Sequence, residues 1–134
     1  MEKKDVMEEK AITEKKEITI RDIFLQENTI LDHRYQILRV LGRGGFGITY
    51  EAVNTKVNRR VAIKEFYSRE YMGRENNTVV LTDREKQEVF ETAKKKFMRE
   101  ARLLGDVAKE PGVVQVLDYF EENNTGYIVM DYLS

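Results

Sequence analysis

A chain of 134 residues with a hydrophobic share of 41% can bury one modest core and little more. Its formal net charge of −1, with 35% of residues charged, offers no field for nucleic acid or an anionic membrane surface. The absence of cysteine excludes disulfides and thiolate metal sites, and no apolar run is long enough to span a bilayer or to serve as a signal-peptide core, so a cytoplasmic location is expected.

Residues 1 to about 28 alternate acids and bases, as in Glu2, Lys3, Lys4 and Asp5, and read as a solvated, flexible leader. The boundary is placed so that 1–29 is the leader and 30–134 the folded domain. Ile18, Ile20, Ile23, Phe24 and Leu25 are more apolar and are expected to pack on that domain. His33 is the only histidine, so no zinc site can rest on it, and a surface position is expected.

Tyr35 to Leu41 alternates as a strand does, and Gly47 to Val53 is rich in β-branched and aromatic residues. Between them Gly42, Gly44 and Gly47 have the spacing G-x-G-x-x-G, which lets a backbone approach phosphate groups without a Cβ in the way. Alone the pattern is weak. A dinucleotide-binding loop would open a helix after its third glycine, whereas Gly47 leads into a strand. No G-x-x-x-x-G-K-[ST] occurs, which excludes a P-loop. The glycines therefore sit at the tip of a hairpin.

Asn54 to Arg60 reads as a turn and Val61 to Phe66 as the next strand. Period-2 alternation puts Ala62, Lys64 and Phe66 on one face. A lysine among apolar neighbours either carries its head out to water or points into a cleft that holds an anion. With the glycine hairpin next to it, the cleft is the better account. Tyr67 to Leu81 contains Gly73 and the pair Asn76-Asn77 and reads as an irregular connection.

Thr82 followed by Glu85 forms a capping box that opens a helix from about Asp83 to Leu104, stopped by Gly105 or by Pro111-Gly112. Phe90, Ala93, Phe97 and Leu104 share one helical face, and Glu100 falls on it too. One account pairs Glu100 with Lys96 a turn back, at the edge of the stripe. The other turns it toward the sheet and Lys64. Val113 to Phe120 reads as a fourth strand, Glu121 to Gly126 as a turn, and Tyr127 to Tyr132 as a fifth strand. The expected fold class is α+β, a five-stranded antiparallel sheet with one long helix packed on it.

Strand, glycine loop, strand, and a strand of the form Val61-Ala62-Ile63-Lys64 occur in the protein-kinase order. From about Tyr35 onward the sequence resembles the N-terminal lobe of a bacterial-type serine/threonine protein kinase, and Phe97-Met98-Arg99-Glu100-Ala101 is similar to the family's helix after the lysine strand. The resemblance implies that Lys64 contacts the α- and β-phosphates of ATP and that Glu100 holds Lys64 in place as its catalytic partner. It implies that the backbone of Gly42, Arg43, Gly44, Gly45, Phe46 and Gly47 covers the phosphates. Leu41, Thr49 and Ala62 would sandwich the adenine, with Thr49 in place of the usual valine. Met130 would be the gatekeeper, Asp131 and Leu133 would offer main-chain hydrogen bonds to the adenine edge, and Leu104 and Val116 would belong to a packed spine.

The family's His-Arg-Asp and Asp-Phe-Gly motifs do not occur, and Asp32-His33-Arg34 is a different order. The chain therefore holds no expected metal ligand, although Mg2+ belongs to an intact kinase, and phosphotransfer by these residues alone is not expected. Two readings follow: the ATP-binding lobe of a kinase, cut at the hinge, whose protein substrate docks on a second lobe; or a free-standing nucleotide-binding or regulatory module.

Overall fold

The structure, a computed structural model, describes residues 23–107 and 115–132. The strands in chain order are β1 (Ile30–Leu31), β2 (Tyr35–Arg43), β3 (Gly47–Asn54), β4 (Arg59–Phe66), β5 (Met72–Glu75), β6 (Thr78–Leu81), β7 (Val116–Glu122) and β8 (Thr125–Asp131). One helix, α1 (Gln87–Val107), follows a 3-10 turn at Arg84–Lys86. Six strands form one antiparallel sheet in the order β1-β2-β3-β4-β8-β7, and β5 pairs only with β6. The small-lobe architecture expected from the sequence is present, with six strands in the sheet rather than five. The extra strand is β1, a two-residue piece too short to show a period.

The connection expected to be irregular between Tyr67 and Leu81 is largely the β5–β6 hairpin, which turns at Asn76 with φ of 53°. The β7–β8 turn is tighter than expected. Glu122 pairs with Thr125, and Asn123 and Asn124 both adopt positive φ, 54° and 61°, which asparagine tolerates better than most residues. The strand expected at Val113–Phe120 occupies Val116–Glu122.

The cap lies one residue later than the proposed capping box, and α1 itself begins at Gln87, after the 3-10 turn. The Thr82 N–H donates to the Tyr71 carbonyl and so belongs to the hairpin, while Asp83 caps the turn by accepting from the Glu85 N–H at 3.0 Å. Gly105 does not end the helix, which continues to Val107; Pro111-Gly112 lies outside the described residues. The buried stripe runs through Phe90 and Ala101, at 1% and 0% exposure, while Leu104 is 45% exposed. Phe90 and Phe97 pack on Phe66 with ring centroids 6.2 Å and 5.5 Å away. Such aromatic pairs contribute about 0.5–1.5 kcal/mol each beyond burial.

Period-2 alternation gives the sheet two distinct faces. The front face, against α1, carries Thr49, Lys64 and Ile128 in one cross-strand row and Glu51, Ala62, Met130 and Val116 in the next. The back face carries Ile48, Glu65 and Tyr127, then Tyr50, Ile63 and Val129. Glu65 is fully buried there, and Arg74 of β5 reaches it with both terminal nitrogens, at 2.5 Å and 3.1 Å. The hydroxyls of Tyr50 and Tyr127 donate to the same carboxylate at 3.1 Å and 2.6 Å. Burial, with the Glu65 charge adding to it, pushes both hydroxyls above the usual tyrosine range, so they stay protonated donors.

Burial also opposes the charge on Arg74, but the Glu65 carboxylate more than offsets this and the guanidinium stays protonated. Arg74 donates further to the carbonyls of Ile23 and Asn77, and the Leu25 N–H donates to the Tyr50 hydroxyl. The segment from Ile23 and the β5–β6 hairpin are thereby fastened to the back of the sheet. Leu25, at 3% exposure, belongs to the same core, as expected for Ile23–Leu25; Ile18 and Ile20 lie outside the described residues. Arg74→Ala should leave a buried carboxylate without its countercharge and lower the unfolding free energy by about 3–5 kcal/mol, read by urea denaturation. A loss below about 1 kcal/mol would show that water substitutes for the guanidinium.

Candidate functional site

The front face gains its shape from β2. Its pairing with β3 slips between Ile37 and Arg39 and again between Val40 and Gly42, so one extra residue is inserted at each step. The first bulge turns Arg39 away from the face of Ile37 and sets it opposite Glu51; the second sets Gly42 opposite Thr49. Neither bulge was visible as a break in the alternation of the sequence. The hairpin closes with the Gly44 N–H donating to the Gly47 carbonyl at 2.8 Å, and the Phe46 carbonyl accepts from the Tyr67 N–H at 3.3 Å. Phe46 stands at the tip, 68% exposed.

The glycines differ in what they require. A Cβ at Gly47 would lie 2.9 Å from Lys64 Cε and 3.3 Å from the Glu65 carbonyl, so an alanine there would displace the flexible end of Lys64 and crowd the main chain of β4. At Gly42, Gly44 and Gly45 a Cβ would meet nothing within 4 Å, and none of them needs a left-handed φ. Their bareness leaves open space over the front face.

Lys64 is exposed on that face, with Gly47 and Thr49 of β3 on one side and Ile128 of β8 on the other. A pocket of about 300 Å³ is lined by Phe46, Lys64, Phe66, Ala93, Lys96, Phe97 and Glu100. The structure thus brings Lys64 and Glu100 to one pocket but forms no ion pair between them, nor between Glu100 and Lys96. The reason lies in α1: its contact with the sheet is made by Phe90, Phe97 and Ala101, and Glu100 remains exposed at the edge of that stripe.

Thr49 and Ala62 are half-buried on the front face, and Leu41, at the second bulge, is 39% exposed. Met130 lies directly across from Ala62, with Val116 on its other side. The Asp131 N–H donates to the Gln115 carbonyl at 3.4 Å and its carboxylate is paired with Arg59. Leu133 lies outside the described residues. Arg43, with Gly42, is the end of β2, and its guanidinium stands 5.9 Å from the Phe24 ring.

The sequence reading passed over Glu51. Its carboxylate is only 8% exposed and meets Arg39 at 3.1 Å and Arg60 at 3.7 Å. Burial alone would raise this carboxyl, but the nearby Tyr132 hydroxyl, the hydrogen bond from Arg39 and the two arginine charges hold it below the usual carboxylate range. A signal was available: two residues past Thr49 in the same strand, Glu51 had to share its face.

Comparison with known proteins identifies this fold, an antiparallel sheet with one helix packed on it. Residues 35–134 match the protein kinase domain family, and the chain belongs to that family. Serine/threonine-protein kinase B of Synechocystis is 35% identical over 105 residues, 77% of this chain and 16% of that protein. Serine/threonine-protein kinase PknA of Nostoc is 29% identical over 107 residues, 78% of this chain and 16% of that protein. The solved structure titled PpkA-294 apo form superposes with a TM-score of 0.79 at 30% identity, covering 84% of this chain and 40% of that one. The chain thus spans about one sixth of the length of these two curated relatives.

The two kinds of glycine separate in a mutational test. Gly47→Ala should lower thermal stability by about 1 kcal/mol, because the methyl crowds the Glu65 carbonyl, and should weaken ligand binding too, because it displaces the end of Lys64. Gly44→Ala and Gly45→Ala should leave the melting temperature within about 2 °C of the parent and alter only ligand affinity.

Proposed function

We propose that this chain is the ATP-binding lobe of a serine/threonine protein kinase that transfers the γ-phosphate to serine or threonine of a protein. The observation that carries the proposal is Lys64, an exposed cation with no ion-pair partner among the described residues, beneath a hairpin whose glycines leave room for phosphates. Lys64 would neutralise charge on the α- and β-phosphates, and the main chain of Gly42–Gly47 would cover them. Thr49, Ala62 and Leu41 would hold the adenine by apolar contact. The Asp131 N–H is already engaged, so its carbonyl is the group left to accept from the adenine edge.

Glu100 fits the role of the lysine's partner once α1 turns to bring it inward. The two side chains already line one pocket, so helix rotation is the natural switch between a relaxed and a paired state. ATP reacts as its magnesium complex in such transfers. No group of three or more metal-ligating side chains occurs among the described residues, and the His-Arg-Asp and Asp-Phe-Gly motifs are not in the sequence. The base and the metal ligands would therefore be supplied from outside these 134 residues. Protein substrates would be met there too.

No helix among the described residues is long and apolar enough to cross a membrane. Lys64→Ala in the full chain should weaken ATP binding about tenfold or more by calorimetric titration. Affinity equal to the parent's would overturn the assignment of Lys64 to the phosphates.

A further inference from the structure

A second charged cluster lies on the front face, at the end away from the pocket of Lys64. Arg39, Glu51 and Arg60 come from three neighbouring strands, and Tyr132 follows the last residue of β8. Glu51 is the shared acceptor: Arg39 reaches it at 3.1 Å and Arg60 at 3.7 Å. The Arg60 guanidinium also lies 5.6 Å from the centre of the Tyr132 ring. Next to it Arg59 pairs with the Asp131 carboxylate. Asp131 and Tyr132 are thus gripped by side chains from the body of the sheet.

Two features set this cluster apart from ordinary surface ion pairs, which contribute little. The carboxylate is itself nearly covered, at 8% exposure, although both arginines that reach it are more than half exposed. The arrangement also depends on the first bulge of β2, without which Arg39 would point to the other face. Arg39 and Glu51 continue the row of Ala62 and Met130, where the adenine would lie, and Arg60 stands in the next row.

We propose that Glu51 is a positioning residue for base recognition: through Arg39, Arg60 and Tyr132 it fixes the Asp131–Tyr132 main chain against which the purine edge is read. The inference rests on the nucleotide reading given above. It assigns Glu51 no contact with phosphate, so its effect should fall on the base alone. Removing the carboxylate leaves two arginines facing each other without a counterion and frees the Tyr132 ring, so the strand end moves.

The test titrates the full chain with ATP, GTP and inorganic tripolyphosphate. Glu51→Ala should lower ATP affinity about tenfold, leave tripolyphosphate affinity unchanged, and so compress the preference for ATP over GTP. Glu51→Gln, which keeps the shape but not the charge, should fall between Glu51→Ala and the parent. Equal losses for ATP and tripolyphosphate, or an unchanged ATP/GTP ratio, would overturn the proposal. Where Glu51→Ala does not yield folded protein, Arg60→Met carries the test, because Arg60 is largely exposed; it should show the same selective loss for ATP, about threefold, and an unchanged ratio overturns the proposal equally. Lys64→Ala separates the two levels. If it leaves tripolyphosphate binding intact, the nucleotide reading itself fails; if it abolishes that binding while Glu51→Ala spares base preference, only the role of Glu51 fails.

Discussion

One buried carboxylate organises the back of this small domain. Glu65 sits in the middle strand of a sheet with no solvent access, and an isolated charge there would be prohibitively unfavourable. Arg74 supplies the countercharge and two tyrosine hydroxyls saturate the remaining oxygen sites. Because Arg74 belongs to a hairpin outside the main sheet and also binds the Ile23 carbonyl, satisfying one strand residue requires two peripheral segments to be in place. A pair of this kind rewards one arrangement and strongly penalises alternatives, more than it adds to overall stability.

The front face is built on the opposite logic. Its polar groups are left open or paired at the rim, and its apolar contacts are confined to α1. Phe66, one residue after Glu65, receives Phe90 and Phe97, while Gly126 lets the helix approach β8 so closely that a Cβ there would collide with Met98 Sδ. The helix is therefore held from Phe90 to Ala101, and its last residues, with Leu103 and Leu104 exposed, are held less. Glu100 lies within that held stretch, next to Ala101, with its own side chain exposed at the edge of the stripe.

How much of this was legible in the sequence depended on the length of each pattern. The glycine hairpin, the facing of Lys64 and the long helix each rest on several residues in phase, and each is present. The kinase-like assignment followed from their order. The β5–β6 hairpin was missed because four-residue strands interrupted by Gly73 carry too few alternations to register. β1 was missed for the same reason. The Glu65–Arg74 pair was beyond reach in a different way: alternation put Glu65 on the face opposite Lys64, yet nothing local said that this face would be covered. Leu104 fitted the helical period but not the narrower contact that Ala101 makes in its place.

The two bulges of β2 have a geometric consequence. Between Tyr35 and Gly42 the strand uses eight residues to run alongside the six from Thr49 to Asn54. Two surplus residues amount to about 7 Å of contour that a flat ladder cannot accommodate. The surplus has to go into curvature at the two bulges, the second of which lies at the base of the glycine hairpin. The arch over Lys64 is therefore a matter of unequal arc lengths, as in a bimetallic strip, and it would persist whatever side chains lined its inner surface.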